Sequence, residues 1–212
     1  MHKNQSQQVT PQFGRAAILL TAVKLAALKG LTNMSLAELA TEVGMSKSGL
    51  FAHFKTREEL ELATVETAIA ILEKEVLQPA MQAPIGTARL RLLVNAFLSY
   101  LERKVFPRGC FIASAALELE AHPGPACDLV GGALMQWLAL IKQCVEDGQA
   151  QGEIDPHADV AQAVFEIQAM MFSANYLFAV GSDTMHLAQS RTGVENILMK
   201  LAVNSDGNTY SK

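Results

Sequence analysis

Aromatic residues are scarce in this 212-residue chain, at 6% with a single Trp, and charged residues are few at 18%. Cysteine occurs three times, an odd number in a chain this long, which excludes a disulfide framework. No long uninterrupted apolar run is present. The strongest stretch, Ile167 to Val180, is broken by Gln168, Ser173, Asn175 and Tyr176 and is too short to span a bilayer. The first residues, Met1 to Gln12, are polar and lack the apolar centre of a signal peptide. Alternating runs of strand character are also missing between turn signals, which argues against a sheet. What the chain does have is a hydrophobic half, dominated by the helix formers Ala and Leu. The composition predicts an all-α, cytoplasmic protein with no membrane partner.

Catalytic signatures are equally thin. There is no Gly-x-Ser-x-Gly elbow, phosphate loop, Rossmann glycine pattern or His-Glu-x-x-His. The five histidines, His2, His53, His122, His157 and His186, are scattered without metal-ligand spacing. His157 lies near Asp155 and Asp159, but acids at a helix start are expected for capping. The reading is therefore no enzyme, no catalytic residue, no metal and no cofactor.

The net charge of −4 conceals an asymmetry. Residues 1–60 carry seven Lys/Arg against four acids, whereas the remaining residues carry ten bases and seventeen acids. A basic head on an acidic body suits a polyanion-binding head. Gly and Pro breakers divide the chain into nine predicted helices, at about 13–29, 36–43, 47–53, 57–78, 87–105, 110–120, 125–147, 156–179 and 184–204. Ser35-Leu-Ala-Glu38 and Thr56-Arg-Glu-Glu59 read as capping boxes, and Asp155-Pro156 as a cap followed by Pro at the first helical position. Three parts are expected: a head at 1–56, a helical body at 57–204 and a disordered tail at 205–212.

Ser35 to Arg57 is the informative stretch. Leu36, Leu39, Ala40 and Val43 form one apolar stripe on a helix closed by Gly44. Ser46 can cap a second short helix in which Leu50 and Phe54 face inward while Lys47, Ser48, Ala52 and His53 face out. Two short helices joined this tightly cross steeply, with small Ala40 at the crossing. That is a helix-turn-helix, whose second helix enters the DNA major groove. Lys47 suits a phosphate or a guanine edge, and Ser48 and His53 can bond phosphate or base. Gly49 lets the backbone approach the groove floor, at a local cost of about 1 kcal/mol in helix propensity. Lys55 and Arg57 flank the next helix start, where amides also favour phosphate. Two short bundle helices with idle surface charges would show part of this pattern, as would a helix-turn-helix that contacts protein.

The sequence resembles the TetR-type bacterial transcriptional regulators. The matching residues are Arg15 and Ile18, Ala22 to Gly30, Ser35-Leu-Ala-Glu-Leu-Ala40, Val43-Gly-Met-Ser46, Gly49-Leu-Phe-Ala-His-Phe54 and Arg57-Glu-Glu-Leu60, within about residues 13–62. The resemblance implies DNA contacts from Ser35, Lys47, Ser48, Gly49, Phe51, His53 and Arg57. Two positions depart from the usual pattern: Phe51 stands where Tyr is common, losing a hydroxyl, and Arg57 where Lys is common. It also implies a homodimer on a palindromic operator, in the expected form a repressor released by a small molecule.

The body carries no further signature. Helices 156–179 and 184–204 are apolar on more than one face and suit a dimer interface. Phe97, Tyr100, Phe111, Trp137, Met171, Phe172 and Tyr176 are candidates for a largely apolar effector pocket, with ordinary core as the competing reading. Cys110 follows Pro107-Arg108-Gly109 and precedes a predicted helix. Arg108 and helix-end amides could lower its pKa, making it a candidate redox sensor with Cys127 or Cys144 as resolving partner, against the commoner fate of a buried, inert thiol.

Overall fold

The computed structural model describes residues 14–203, in which every regular element is a helix and no strand occurs. The expected helix start at Phe13, the end at Asn204 and the tail 205–212 lie outside the described residues. Three helices come first: α1 (Arg15–Lys29), α2 (Leu36–Glu42) and α3 (Lys47–His53). They share a core of Ile18, Ala22, Leu39, Ala40, Val43, Leu50 and Phe54, all buried. The next helix, α4, runs Arg57–Leu72 and continues without a break through a π-helical stretch, Glu73–Leu77, into Gln78–Ala80. Pro79 explains the widened turn. It has no N–H to give, and its ring would collide with the carbonyl four residues back, so the ladder shifts register just before it.

Five more helices complete the chain: α5 (Thr87–Glu102), α6 (Phe111–Leu119), α7 (Pro125–Ala150), α8 (Val160–Gly181) and α9 (Met185–Leu201). The body packs α7 against α4, α6 and α8, while α8 and α9 form the most extensive helix pair. That makes nine helices among the described residues, as the breakers suggested, with several boundaries moved. Helix α7 passes through Gly148 because this glycine is a seat and not a breaker: a Cβ there would lie 2.9 Å from Ile154 Cδ1. Ile154 is fully buried and bridges Ala202. The Asp155 amide donates to Leu201 O at 2.8 Å.

That anchorage displaces the expected start of the 156–179 helix. Asp155 Oδ1 accepts from His157 N at 2.8 Å in a local turn, and Asp159 is the cap, accepting from Gln162 N at 3.0 Å. The helix thus gains residues at its far end and runs to Gly181. With 22 residues and a mean hydropathy of 1.3 in its best window, α8 is long and apolar enough to cross a membrane by length and composition alone. Its Ile167, Met171, Ala174 and Phe178 face is buried in the bundle.

Candidate DNA-reading face and apolar cavity

The turn between α2 and α3 follows from backbone chemistry. Met45 N donates to Ala40 O at 2.8 Å and Gly44 N to Thr41 O at 3.0 Å, the paired bonds of a Schellman closure. Gly44 sits at φ +65°, where a side chain would be strained. Ser46 then caps α3 by accepting from Gly49 N at 3.1 Å, and its hydroxyl lies 2.9 Å from Ser48 Oγ.

Within α3 only Leu50 is buried. Lys47, Ser48, Phe51 and Ala52 are exposed, and Gly49 and His53 are half-buried. Phe51 is a large apolar side chain turned outward on a helix that does not need it for packing.

Both capping boxes are half made. Ser35 accepts from Glu38 N at 3.5 Å and Thr56 from Glu59 N at 3.0 Å. The reciprocal glutamates go elsewhere: Glu38 pairs with Lys29, and Glu59 Oε2 accepts from Lys55 N at 2.8 Å. That bond, together with Arg15, holds the Glu59 carboxyl below its ordinary pKa.

Arg15 is the residue whose work the sequence did not disclose. Its Nη1 donates to His53 O at 2.6 Å and to Glu59 Oε1 at 3.2 Å, and its guanidinium lies 4.3 Å from the Phe54 ring centre. It therefore clamps the C-terminal end of α3 to α4. Arg57 has protein partners as well, donating to Glu61 Oε1 and Thr32 O, both at 2.6 Å. Only its remaining N–H groups are left for a phosphate. Ser35 and Lys55 are exposed near the two helix starts.

In the body, a small cavity of about 50 Å³ lies between α4, α5, α6, α7 and α8. Its lining is Leu72, Phe97, Cys110, Ile112, Ala113, Ala133, Leu134, Trp137, Gln168, Met171, Phe172 and Asn175. Four of the seven expected pocket residues are among them: Phe97, Trp137, Met171 and Phe172. The other three are not. Tyr100 and Phe111 are buried behind the wall, in an aromatic row in which Tyr100 lies 6.0 Å from Phe97 and from Phe106, and Phe106 lies 5.8 Å from Phe111. Tyr176 is exposed and borders a separate open groove between α1, α6 and α8. Residue size selected all seven, whereas lining depends on which helical face each occupies.

Two amides give the cavity its polarity. Trp137 Nε1 donates to Gln168 Oε1 at 2.9 Å, and Cys110 N donates to Asn175 Oδ1 at 2.7 Å. Asn175 can come this close because Gly109 has no side chain; a Cβ there would sit 2.5 Å from Asn175 Oδ1.

Of the two readings of Cys110, activated sensor or buried inert thiol, its surroundings favour the second. The thiol is buried, and desolvation raises its pKa above the usual thiol value despite helix-start amides that lower it. Arg108, the expected activating charge, donates instead to Leu28 O at 3.3 Å. Cys144 is also buried, its pKa pushed up to about 11 by desolvation, while Cys127 is half-buried. Cys110 is a cavity wall and not an activated sensor.

A helix-turn-helix with an unemployed outward face, joined to a helical body that encloses an apolar cavity, defines a ligand-responsive DNA-binding regulator. The family comparisons agree. Residues 18–64 match the family described as bacterial regulatory proteins, tetR family, and residues 86–194 match the tetracyclin repressor-like C-terminal domain. The chain belongs to the TetR family of transcriptional regulators.

Among curated relatives it is similar to the transcriptional regulator AcuR of Cereibacter sphaeroides, with 26% identity over 62% of this chain and 60% of that one. It is also similar to the HTH-type transcriptional repressor ComR of Escherichia coli, with 28% identity over 70% of this chain and 71% of that one. The alignment to AcuR thus spans about three-fifths of that protein's length. A TetR regulator from Chloroflexus aurantiacus J-10-FL shares the fold, with a TM-score of 0.82 at 22% identity, covering 89% of this chain and 95% of that one.

Proposed function

We propose that the protein is a cytoplasmic homodimeric repressor that binds a palindromic operator and is released by a small, largely apolar effector in the cavity. The observation that carries this reading is α3. Lys47, Ser48 and Phe51 project from a helix that is anchored inward by Leu50 and, at its C-cap, by Phe54. Residues 1–56 serve as the reading head in this proposal and 57–204 as the effector and dimer body.

Ser35, Lys47, Lys55 and Arg57 supply phosphate contacts, with Ser48, Gly49, Phe51 and His53 at the groove. Phe51 offers apolar contact to a thymine methyl where a hydroxyl is lacking. Exposed Phe165, Phe172 and Val180 on α8, with Met185 and Met199 on α9, support a two-fold interface built from the last two helices. Repression accords with the similarity to ComR, which is described as a repressor.

The cavity as it stands is far below the roughly 300–1,000 Å³ of a small-molecule site. An effector must therefore part the surrounding helices, and α4 leads from this cavity straight to the head. A ligand that favours the parted state by about a hundredfold, about 2.7 kcal/mol, changes operator occupancy strongly.

The test is selection of duplex DNA from a genomic pool, with Lys47→Ala and His53→Ala in parallel. A palindromic site should be enriched, weakened by either substitution, and its log affinity should fall linearly with log salt. Failure to enrich any duplex at low salt, or a salt-independent affinity, would sink the reading and favour a protein-contacting head.

A further inference from the structure

The chemistry of the cavity specifies its ligand further, on the reading that an effector binds there. No Asp, Glu, Lys, Arg or His is among its lining residues. An ionised ligand would lose its water and find no countercharge. The polar groups are two side-chain amides, and the orientation of each is forced. The Trp137 indole N–H is a donor only, so the atom it meets at 2.9 Å must be the Gln168 oxygen. The Cys110 backbone N–H is likewise a donor only, so the atom at 2.7 Å must be the Asn175 oxygen. Each oxygen is thereby turned toward a protein donor, and the NH₂ group of each amide is left as the unpartnered donor.

Neither amide nitrogen has a hydrogen-bond partner among the described residues. Neither is sealed in by protein, since the enclosed side-chain polar atoms without a partner are Tyr100 Oη and Ser190 Oγ. Asn175 itself is 6% exposed.

We infer that the cavity selects an uncharged ligand with a hydrocarbon body and a carbonyl-type hydrogen-bond acceptor: a ketone, ester or lactone. The hydrocarbon part meets Phe97, Trp137, Met171 and Phe172. The acceptor takes an N–H from Asn175 or Gln168. These two residues are seven apart on α8 and so share one face two turns from each other. A pure hydrocarbon would bury the same surface but leave the amide donors dehydrated and unpaired, which disfavours it. A carboxylate would satisfy the donors and lose its solvation, and an ammonium ion would lose its solvation and find no carboxylate to pair with.

Trp137 is the sole tryptophan of the chain and forms part of the wall, so its emission reports occupancy directly. The experiment titrates the full-length protein with four cyclohexyl compounds: methyl cyclohexanecarboxylate, the hydrocarbon of equal heavy-atom count sec-butylcyclohexane, cyclohexanecarboxylate and cyclohexylmethylamine. The ester should shift Trp137 emission and bind at least about tenfold more tightly than each of the others.

Gln168→Glu and Asn175→Asp keep the oxygens that Trp137 and Cys110 need while removing the NH₂ donors. Each should weaken the ester about tenfold and improve binding of the amine. Melting curves verify folding; if Asn175→Asp fails to fold, Gln168→Glu decides alone.

Tightest binding of the carboxylate, amine or hydrocarbon would overturn the ligand class while leaving the effector cavity standing. Undiminished ester binding in the variants would overturn the role of the amide donors. Absence of any Trp137 response to all four would overturn both the class and the effector reading.

Discussion

Gly49 tests whether a residue is kept for DNA or for the fold. A Cβ there would lie 3.4 Å from Ser46 Oγ and 3.5 Å from Met45 Cε, ordinary contact distances, so the fold has room for alanine. Gly49→Ala should raise or preserve thermal stability, since alanine gains up to about 1 kcal/mol of helix propensity. Operator affinity should fall by about tenfold as the added methyl holds the backbone off the groove. Unchanged affinity in a binding titration would remove Gly49 from the interface. The cysteines offer a second check at this scale. Burial keeps Cys110 and Cys144 protonated at neutral pH, so a maleimide should label half-buried Cys127 first and the other two only on unfolding. Rapid labelling of Cys110 in the native protein would restore the sensor. Residue types were a fair guide where local rules govern, as at Ser46 and Gly44. They were a poor guide to Arg15, Gln168 and Asn175, whose partners lie 31 to 65 positions away.

Helix α6 is the element that joins the cavity to the head. Its first turn, with Cys110 as cap, supplies Ile112 and Ala113 to the cavity wall. Two turns on, Glu118 grips the loop after α1, accepting from Leu31 N at 2.8 Å, Thr32 N at 2.7 Å and the Thr32 hydroxyl. A ligand that pushes on the first turn moves this carboxylate, and with it the loop that leads into α2. Glu118→Gln keeps the size but loses the charge and one acceptor oxygen. It should lower unfolding stability by about 1–2 kcal/mol in a denaturant titration. It should also blunt effector-driven release of DNA while leaving effector affinity nearly unchanged. Full release in this variant would show that the signal runs through α4 alone. The grip was not legible beforehand, because Glu118 reads as an ordinary surface acid until the fold sets it beside Leu31. The helix itself was legible, its start set by the Pro107–Gly109 breaker.

For the whole molecule, the outward face of α8 is the unfinished part of the monomer. Phe165 is 69% and Val180 75% exposed, on a helix whose opposite face is buried. A solitary chain gains nothing from leaving such groups in water. A stable two-fold interface of roughly 1,200–2,000 Å² would cover them. Sedimentation should therefore give about twice the 22.9 kDa chain mass. The double substitution Phe165→Glu and Val180→Glu should yield a folded monomer with much weaker operator binding, since one head then lacks its partner half-site. A wild-type monomer in solution would refute the dimer.

The sequence alone determined the all-helical class, the nine segments and the helix-turn-helix. Helix periodicity, capping and the Gly44 turn act over a few residues, and that is the range over which sequence speaks plainly. Tertiary structure decided what depends on distant neighbours. It made Gly148 a seat for Ile154, moved the start of α8 from Pro156 to Val160, and decided between sensor and inert wall at Cys110 in favour of the wall. It also chose which aromatics face the cavity and left two amide NH₂ groups free to meet a ligand. Helical phase and burial set these outcomes, and both are fixed only when the helices pack.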